Sequence, residues 1–503
     1  MKTPIFNSVQ LKKPKTNLFD LSHECKLSGR MGYLVPVFLD EYIPTDRFRI
    51  NQECLLRFAP LLSPMMERVN VSFHWFAVPQ RLLWDSHESF ITGGENGHDA
   101  SVVPQIQLVE AHRQRIGIGS LADYMGIPSP ADTPITQAPF INAMPFRAYQ
   151  LIYNEYFRDQ NLAPKVEIAK TSYVSAEEAT ALLTIRKRAW EKDYFTSALP
   201  WAQKGDETGI PTTVNYKSQS DVFNQDGTPA NGPLDAVLGK LNTGDPDPVA
   251  SSRLENIENL EITINDLRTS NAIQKWMEKN ARGGSRYIEY ILNFFGKESS
   301  NKLLQRPQYL GGSKQVVTVS EVLSTFNNTE VPGGEMYGHA LSVGRGNTIN
   351  YNAEEYGYLM CIMSVLPRTS YCQGLPKIYT KFDRHEYFNP MFAHLGEQAV
   401  KKYELFMDYT TSDPYQDFGY QSRFAEYKFR NSRIHGDFKD TLSYWTMARM
   451  FSGTQSLNQA FVEADPTDRI FAVEDQNVHN IYANIFFNIR AIRPIPIFGT
   501  PSL

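Results

Sequence analysis

The sequence predicts a mainly β body: a β-sandwich with long inter-strand insertions that contain several helices. Three observations carry that expectation. Among 503 residues there are 30 Phe and 26 Tyr, with 30 Pro and 31 Gly, a mixture that suits strands joined by ordered turns better than a helical bundle. Apolar segments of strand length recur along almost the whole chain. Helical periodicity is confined to a few stretches between them, with no internal repeat and no heptad.

Taken in order, Tyr33–Leu39 reads as a strand, but Pro36 inside it has no N–H to donate and demotes it to an edge strand or a bulge. Val71, Phe73, Trp75 and Ala77 alternate with His74, Phe76 and Val78, which are also rather apolar, so both faces of this strand should be covered. A short helix is expected over Leu82–Ile91, before Gly93-Gly94. Phe146–Asp159 forms a longer one, with Pro145 in its first turn and Tyr149, Ile152, Tyr153 and Tyr156 on one stripe. A further helix opens with Asn265 or Asp266 as N-cap, carries Ile273, Trp276 and Met277, and stops at Gly283-Gly284. Tyr356–Leu366 is an almost unbroken apolar run that suits a strand or a buried helix; Gly357 and Pro367 favour strand. Ile481, Ala483, Ile485, Phe487 and Ile489 alternate with Tyr482, Asn484, Phe486, Asn488 and Arg490, the cleanest half-buried strand of the chain.

Charge is unevenly spread. The 50 Lys+Arg and 55 Asp+Glu leave a net −5, which excludes nucleic-acid binding through overall charge but leaves room for a local basic face. The first 15 residues hold Lys2, Lys12, Lys13 and Lys15 and no acid. Residues 205–260 are the reverse: nine acids against three bases, a net −6, so the rest of the chain carries about +1. That stretch has six Gly, five Pro and only two aromatics, so it cannot bury much surface and is expected to be a solvent-facing excursion or a disordered insert. Length alone suggests about three domains at ~150 residues each. One compact body with an acidic insertion is the simpler description.

Other classes are excluded on similar grounds. No run of about 18 apolar residues exists to form a membrane-spanning helix. The opening MKTPIFNSVQLKKPK has no apolar core of a secretory signal. Cys25, Cys54, Cys361 and Cys372 show no CxxC spacing and read as free thiols of a reducing cytoplasm. His385-Glu386 and His87-Glu88 lack the second histidine of a zinc-protease helix, and Gly344-Arg-Gly346 lacks the third glycine of a dinucleotide loop. Neither Gly239-Lys240 nor Gly296-Lys297 completes a phosphate loop, and no GxSxG elbow occurs. No catalytic residue, metal ligand or cofactor is therefore assigned.

Two features point to nucleic acid. Arg423-Phe424-Ala-Glu426-Tyr427-Lys428-Phe429-Arg430 interleaves bases with rings, as single-strand binding surfaces do. The plainer reading, and the favoured one, is an ordinary strand with rings to the core and charges to water. Lys12, Lys13 and Lys15 would suit a flexible arm that neutralises phosphate, or simply a soluble terminus.

The order of motifs carries more. Asn17-Leu-Phe-Asp-Leu-Ser-His23, Leu55-Leu-Arg-Phe-Ala-Pro60 and Pro145-Phe-Arg-Ala-Tyr149 are followed by Asp193-Tyr-Phe-Thr-Ser-Ala-Leu-Pro-Trp201, where the acidic insertion is about to begin. After it come Asn280-Ala-Arg-Gly-Gly, Gln305-Arg-Pro-x-Tyr-Leu-Gly-Gly312, Phe392-Ala-His-Leu-Gly-Glu-Gln-Ala399 and Arg493-Pro-x-Pro496. In this order the chain resembles the major capsid protein of the Microviridae, the small single-stranded DNA phages, and is most similar to the gokushovirus branch. Coverage is weakest in 205–260 and in parts of 95–140 and 165–190.

The resemblance implies a viral jelly roll spanning 1–503 as a single domain, with 205–260 as an acidic surface insertion that forms a threefold protrusion. It also implies a non-enzymatic subunit of a sixty-copy T=1 shell around circular single-stranded DNA, located in the virion and assembled in the cytoplasm of a bacterial host. The partners implied are other copies of itself, the genome, a small basic DNA-binding phage protein, scaffolding and pilot proteins, and a host cell-surface receptor, with no membrane insertion. Candidate DNA contacts are Lys12, Lys13, Lys15, Arg423, Lys428 and Arg430. Candidate host contacts are Asp221, Asp226, Asp235, Asp245 and Asp247. The aromatic content alone also permits a carbohydrate-binding or carbohydrate-active β-sandwich, which would need a cleft with paired carboxylates.

Overall fold

Eight strands form the sandwich: β1 (His23–Gly29), β2 (Val35–Tyr42), β3 (Arg47–Phe58), β4 (Val69–Pro79), β5 (Gln308–Val316), β6 (Met336–Arg345), β7 (Gly357–Pro367) and β8 (Ile481–Arg493). The computed structural model describes residues 14–130, 133–136, 139–206, 263–284, 286–325, 334–410, 413, 415–475 and 478–498, together with the backbone of 213–223 and 253–261. By chain contacts it divides into two units, residues 1–200 with 286–503, and residues 201–285.

In the first unit one sheet runs β1–β8–β3–β6, and Thr318–Leu323 extends it beyond β6. Asn17–Asp20 also pairs with β8 and Ile349–Asn352 with β3, which makes seven strands. The second sheet has four strands in the order β2–β7–β4–β5. Every pairing in both sheets is antiparallel. First strand beside last and second beside seventh is jelly-roll connectivity, two interlocked Greek keys.

Side-chain parity explains the layering. In β4, Val71, Phe73, Trp75 and Ala77 join the core between the sheets, while Phe76 and Val78 join a second core on the far side. Strand β7 divides in the same way, Leu359, Cys361 and Met363 one way and Tyr358, Met360 and Ile362 the other. That second core is closed by helices α1 (Met144–Ile152) and α2 (Ala176–Leu182), which supply Phe146, Tyr149, Ile152 and Leu182. Both faces of β4 and β7 are thus covered, as their continuous apolar character requires. Each large side chain so buried stabilises by about 1.5–3 kcal/mol. The seven-stranded sheet, by contrast, buries one face only: β8 alternates buried and exposed along its length.

Local expectations resolve in detail. Strand β2 is an edge strand, and its register with β7 shifts between Phe38 and Pro36, so Pro36 occupies both an edge and a bulge. Gly357 opens β7 because a Cβ there would stand 2.2 Å from the Tyr42 ring. Pro145 lies in the first turn of α1, after which Tyr153–Phe157 continues as a π turn. The helix expected over Leu82–Ile91 is two short pieces, Gln80–Leu82 and His87–Thr92, the latter ended by Gly93 at φ 82°.

Several motif residues anchor loops to this frame. Arg147 is fully buried, paired with Glu178 at 3.0 Å, and donates to the carbonyls of Leu83 and Thr171. The Tyr149 hydroxyl donates to Leu34 O at 2.8 Å. The Asp193 carboxylate accepts from Thr369 Oγ1 and Tyr371 OH, both at 2.7 Å, and from the backbone N–H groups of Phe195 and Thr196.

The second unit contains an antiparallel pair, Thr213–Phe223 with Arg253–Glu261, and helix α3 (Ile264–Gly283). Its N-cap is Thr263, not Asn265 or Asp266. Thr263 Oγ1 accepts from Asp266 N at 3.1 Å and the Asp266 carboxylate accepts from Thr263 N at 3.2 Å, so Asp266 is the returning half of a capping box. Ile273 and Trp276 remain exposed on α3.

Candidate assembly interface

Helix α4 (Tyr287–Phe295) has seven apolar residues in nine, yet none of its side chains is buried. It forms because the Glu289 carboxylate accepts from Arg286 N at 3.2 Å and Nη1 at 3.1 Å, and it ends at Gly296 in the left-handed region. Tyr287 is 68% exposed and Phe295 74%. Glu289 and Asn293 mark a polar stripe, Ile288, Tyr290, Ile291 and Phe294 are half-buried, and Tyr287, Leu292 and Phe295 stand out as an apolar edge that the described residues leave only partly covered. Its signal in the sequence is seven apolar residues between Arg286 and Gly296, too short to show a helical period.

A second apolar surface lies on the loops that follow β7. Ile378, Tyr379, Phe382 and Met391 are all at least two-thirds exposed. Phe388 holds this rim to the body, its ring 5.3 Å from that of the buried Phe424. Lys381 Nζ pairs with Glu426 at 2.7 Å and sits 4.0 Å from the Tyr427 ring centroid. Exposed apolar area of this extent, rich in aromatic rings, has the character of a protein–protein contact.

The candidate DNA contacts scatter. Lys12 and Lys13 fall outside the described residues, and Lys15 is exposed just before Asn17–Asp20 at the margin of the seven-stranded sheet. The stretch from Arg423 to Arg430 is not the strand expected. Asp417–Ser422 is a strand, but Phe424 turns the chain at φ 59° and Ala425–Lys428 is a helical turn, so alternation of bases and rings does not sort them onto two faces. Arg423 Nη2 donates to His385 O at 2.9 Å, and Lys428 Nζ to Ser422 Oγ at 3.2 Å; Arg430 is exposed. Of the host-contact candidates, Asp221 is the register partner of Glu255 in the second unit. Asp226, Asp235, Asp245 and Asp247 lie outside the described residues.

Chemistry of other kinds has little to stand on. Among the described residues no cluster of His, Cys, Asp or Glu could hold a metal ion, and two small depressions, one beside Tyr153 and one beside Tyr33, each have room of about 10 Å³, one water molecule. Cys54 and Cys361 are buried free thiols, and burial pushes the Cys54 thiol up to about 12. Cys25 and Cys372 are free and half-buried. No described helix is long and apolar enough to cross a membrane.

A two-sheet sandwich whose subunit leaves an apolar helix and an aromatic rim uncovered defines a structural protein made to be packed among others: a coat subunit. The family model described as capsid protein (F protein) matches residues 7–503. Capsid protein VP1 of Chlamydia phage 1 is 32% identical over 592 aligned positions, covering 99% of this chain and 97% of the relative. VP1 of Bdellovibrio phage phiMH2K is also 32% identical, covering 96% and 95%, and VP1 of Spiroplasma virus 4 is 27% identical, covering 96% and 94%. The chain belongs to the major capsid protein family of the Microviridae, in which Chlamydia phage 1 is a gokushovirus. It is a structural, non-enzymatic protein, and the carbohydrate-active alternative falls on that membership.

Proposed function

We propose that sixty copies of this subunit assemble into a T=1 icosahedral shell that encloses a circular single-stranded DNA genome. The observation that carries the reading is α4: nine residues, seven of them apolar, with no side chain buried in the subunit. Burying those side chains against a neighbour supplies hydrophobic driving force, and the aromatic rim at Phe382 and Met391 adds a second contact of the same kind. Assembly takes place in the bacterial cytoplasm with scaffolding and pilot proteins, and a small basic phage protein neutralises most of the DNA charge. Lys12, Lys13, Lys15, Arg423, Lys428 and Arg430 remain candidate genome contacts.

Within a single jelly-roll domain spanning the chain, the insertion at 205–260 is the outward protrusion. Its net −6 and scarcity of aromatics suit a solvated surface, and Asp221, Asp226, Asp235, Asp245 and Asp247 are its candidate contacts with a host receptor. Sedimentation and negative-stain microscopy of the chain co-expressed with its phage partners test the proposal. Closed shells are expected; soluble monomers alone under assembly conditions would overturn it.

A further inference from the structure

Of the strands that end the two sheets, three carry features that discourage further pairing. β2 holds Pro36 and a register shift. β5 has a register shift between Tyr309 and Gly311 and the exposed Lys314, and β1 presents the exposed Glu24 and Lys26. Asn17–Asp20 and Ile349–Asn352 are too short to template much. The remaining edge, Thr318–Leu323 beside β6, has no Pro, no Lys and one charge, Glu321, and it pairs with β6 without a register shift.

The ladder with β6 decides which backbone groups of this edge are open. Gly338 of β6 exchanges both its backbone bonds with Leu61 on the opposite side, so it makes none with its register partner Glu321. Ser324 N donates to Glu335 O at 2.8 Å, which fixes the same phase. Bonding alternates along an antiparallel strand, so Thr318, Ser320 and Val322 bond to β6 while the N–H and C=O groups of Val319, Glu321 and Leu323 point outward. Among the described residues no strand pairs with them. Val319, opposite Ala340, still packs on the core. Beyond it the ribbon leaves the sandwich, with Leu323 beside Met336 on one face and Val322 beside Tyr337 on the other, all four exposed. A two-stranded ribbon wet on both faces is marginal alone and gains stability from a third strand.

We infer that Thr318–Leu323 pairs antiparallel with the same strand of a second copy, about a two-fold axis that sets Val322 opposite Val322. The inference rests on the proposed shell, whose symmetry contains two-fold axes, and adds to it a sheet continuous between two copies. A two-fold axis through such a sheet must place one residue opposite its own equivalent. Glu321 in that place would set two carboxylates against each other, which weakens a sheet. Ser320 there would leave Val322 against Thr318. Val322 there makes an apolar pair flanked by Tyr337 of each copy, while Glu321 and Leu323 exchange their outward backbone bonds across the contact. The strand is thus complementary to itself and needs no partner of another kind.

Two measurements test it. In an antiparallel pair that exchanges no backbone bonds, opposite Cα atoms stand about 4.5 Å apart, within the span of a disulfide. Particles assembled from Val322→Cys chains and mildly oxidised should therefore run as covalent dimers on a non-reducing gel. Ser320→Cys particles, and the unaltered chain with its free Cys25, Cys54, Cys361 and Cys372, should run as monomers. Monomers from Val322→Cys, equal dimer yield from Ser320→Cys, or a cross-link to a polypeptide of another mass would each overturn the inference. In the second, Glu321→Pro removes an N–H that faces outward and so spares the ladder with β6. The thermal midpoint of the isolated subunit should stay within about 2 °C while shell yield falls at least about tenfold. Parental shell yield overturns the inference, and so does a much lower midpoint, since the edge would then be paired already within the subunit. Failure of the underlying reading looks different: the unaltered chain forms no shells, and the inference falls with it.

Discussion

Trp75 Nε1 donates to Gln52 Oε1 at 2.7 Å across the space between the two sheets. Gln52 is only 3% exposed on the inner face of β3, and its Nε2 donates in turn to Ser313 Oγ at 3.3 Å. A polar group inside an apolar core is tolerated only while it is satisfied. Gln52→Leu leaves the Trp75 N–H without an acceptor and should lower stability by about 1–3 kcal/mol. Adding Trp75→Phe removes the orphaned donor, so the double variant should be less destabilised than the sum of the two single variants in urea unfolding of the purified chain.

The His74 imidazole sits on β4 beside the Tyr309 hydroxyl, 3.2 Å from Nδ1. Burial first, and then the Arg188 guanidinium, hold its pKa down at about 4 against an ordinary 6.5. The folded value is the lower one, so the unfolded chain takes up the proton first as pH falls. The stability contribution is full above about pH 6.5, declines down to about pH 4 and is flat below, amounting at most to about 3 kcal/mol. His74→Gln should flatten the decline across that window, read as urea midpoints at several pH values. An unchanged slope would show that His74 is not the group responsible.

Leu292→Asp or Phe295→Asp in α4 should leave the thermal midpoint of the isolated subunit within about 2 °C, because no side chain of this helix is buried in the subunit. The same substitutions should reduce shell yield at least about tenfold, because they place a charge in a desolvated contact. Calorimetry and sedimentation velocity on the same preparations separate the two effects.

Deleting 209–251 removes most of the acidic insertion. Closed particles should form in unchanged yield, without their protrusions, while adsorption to host cells is lost, as measured by free-phage depletion. Loss of particles would make the insertion part of the shell wall instead.

Gly357→Ala should be among the most damaging single-methyl changes. The added carbon would meet the Tyr42 ring at 2.2 Å and Val78 O at 2.6 Å, where neither sheet partner can retreat. A cost of about 1–3 kcal/mol in unfolding experiments is expected for such overpacking.

Much of this was legible in the residues themselves. The period-two alternation of Ile481–Arg490, the two-sided apolar character of Val71–Val78 and the strand ended by Pro367 all reappear as β8, β4 and β7. Pro36 announced an edge strand or a bulge because a missing N–H is a local fact, and the structure has both. The composition of 205–260 excluded it from a core for an equally local reason. Where local chemistry permitted two outcomes, tertiary context chose between them. Arg423–Lys428 has strand-like composition but turns at Phe424, whose ring is drawn into the interior. The N-cap of α3 moved to Thr263 because Asp266 can serve either as a cap or as the returning half of a capping box.

By itself, then, the sequence determined the strand period, the breaks, the acidic excursion and, through the order of its motifs, the capsid family. Only the tertiary structure decided which faces are covered: helices α1 and α2 close one sheet on its outer side, while the other sheet and α4 are left open. It also decided that Arg49 faces Arg490 and that Gln52 meets Trp75. Periodicity is encoded within a few residues of chain, whereas register and burial arise from packing between segments hundreds of residues apart, and no local pattern specifies them.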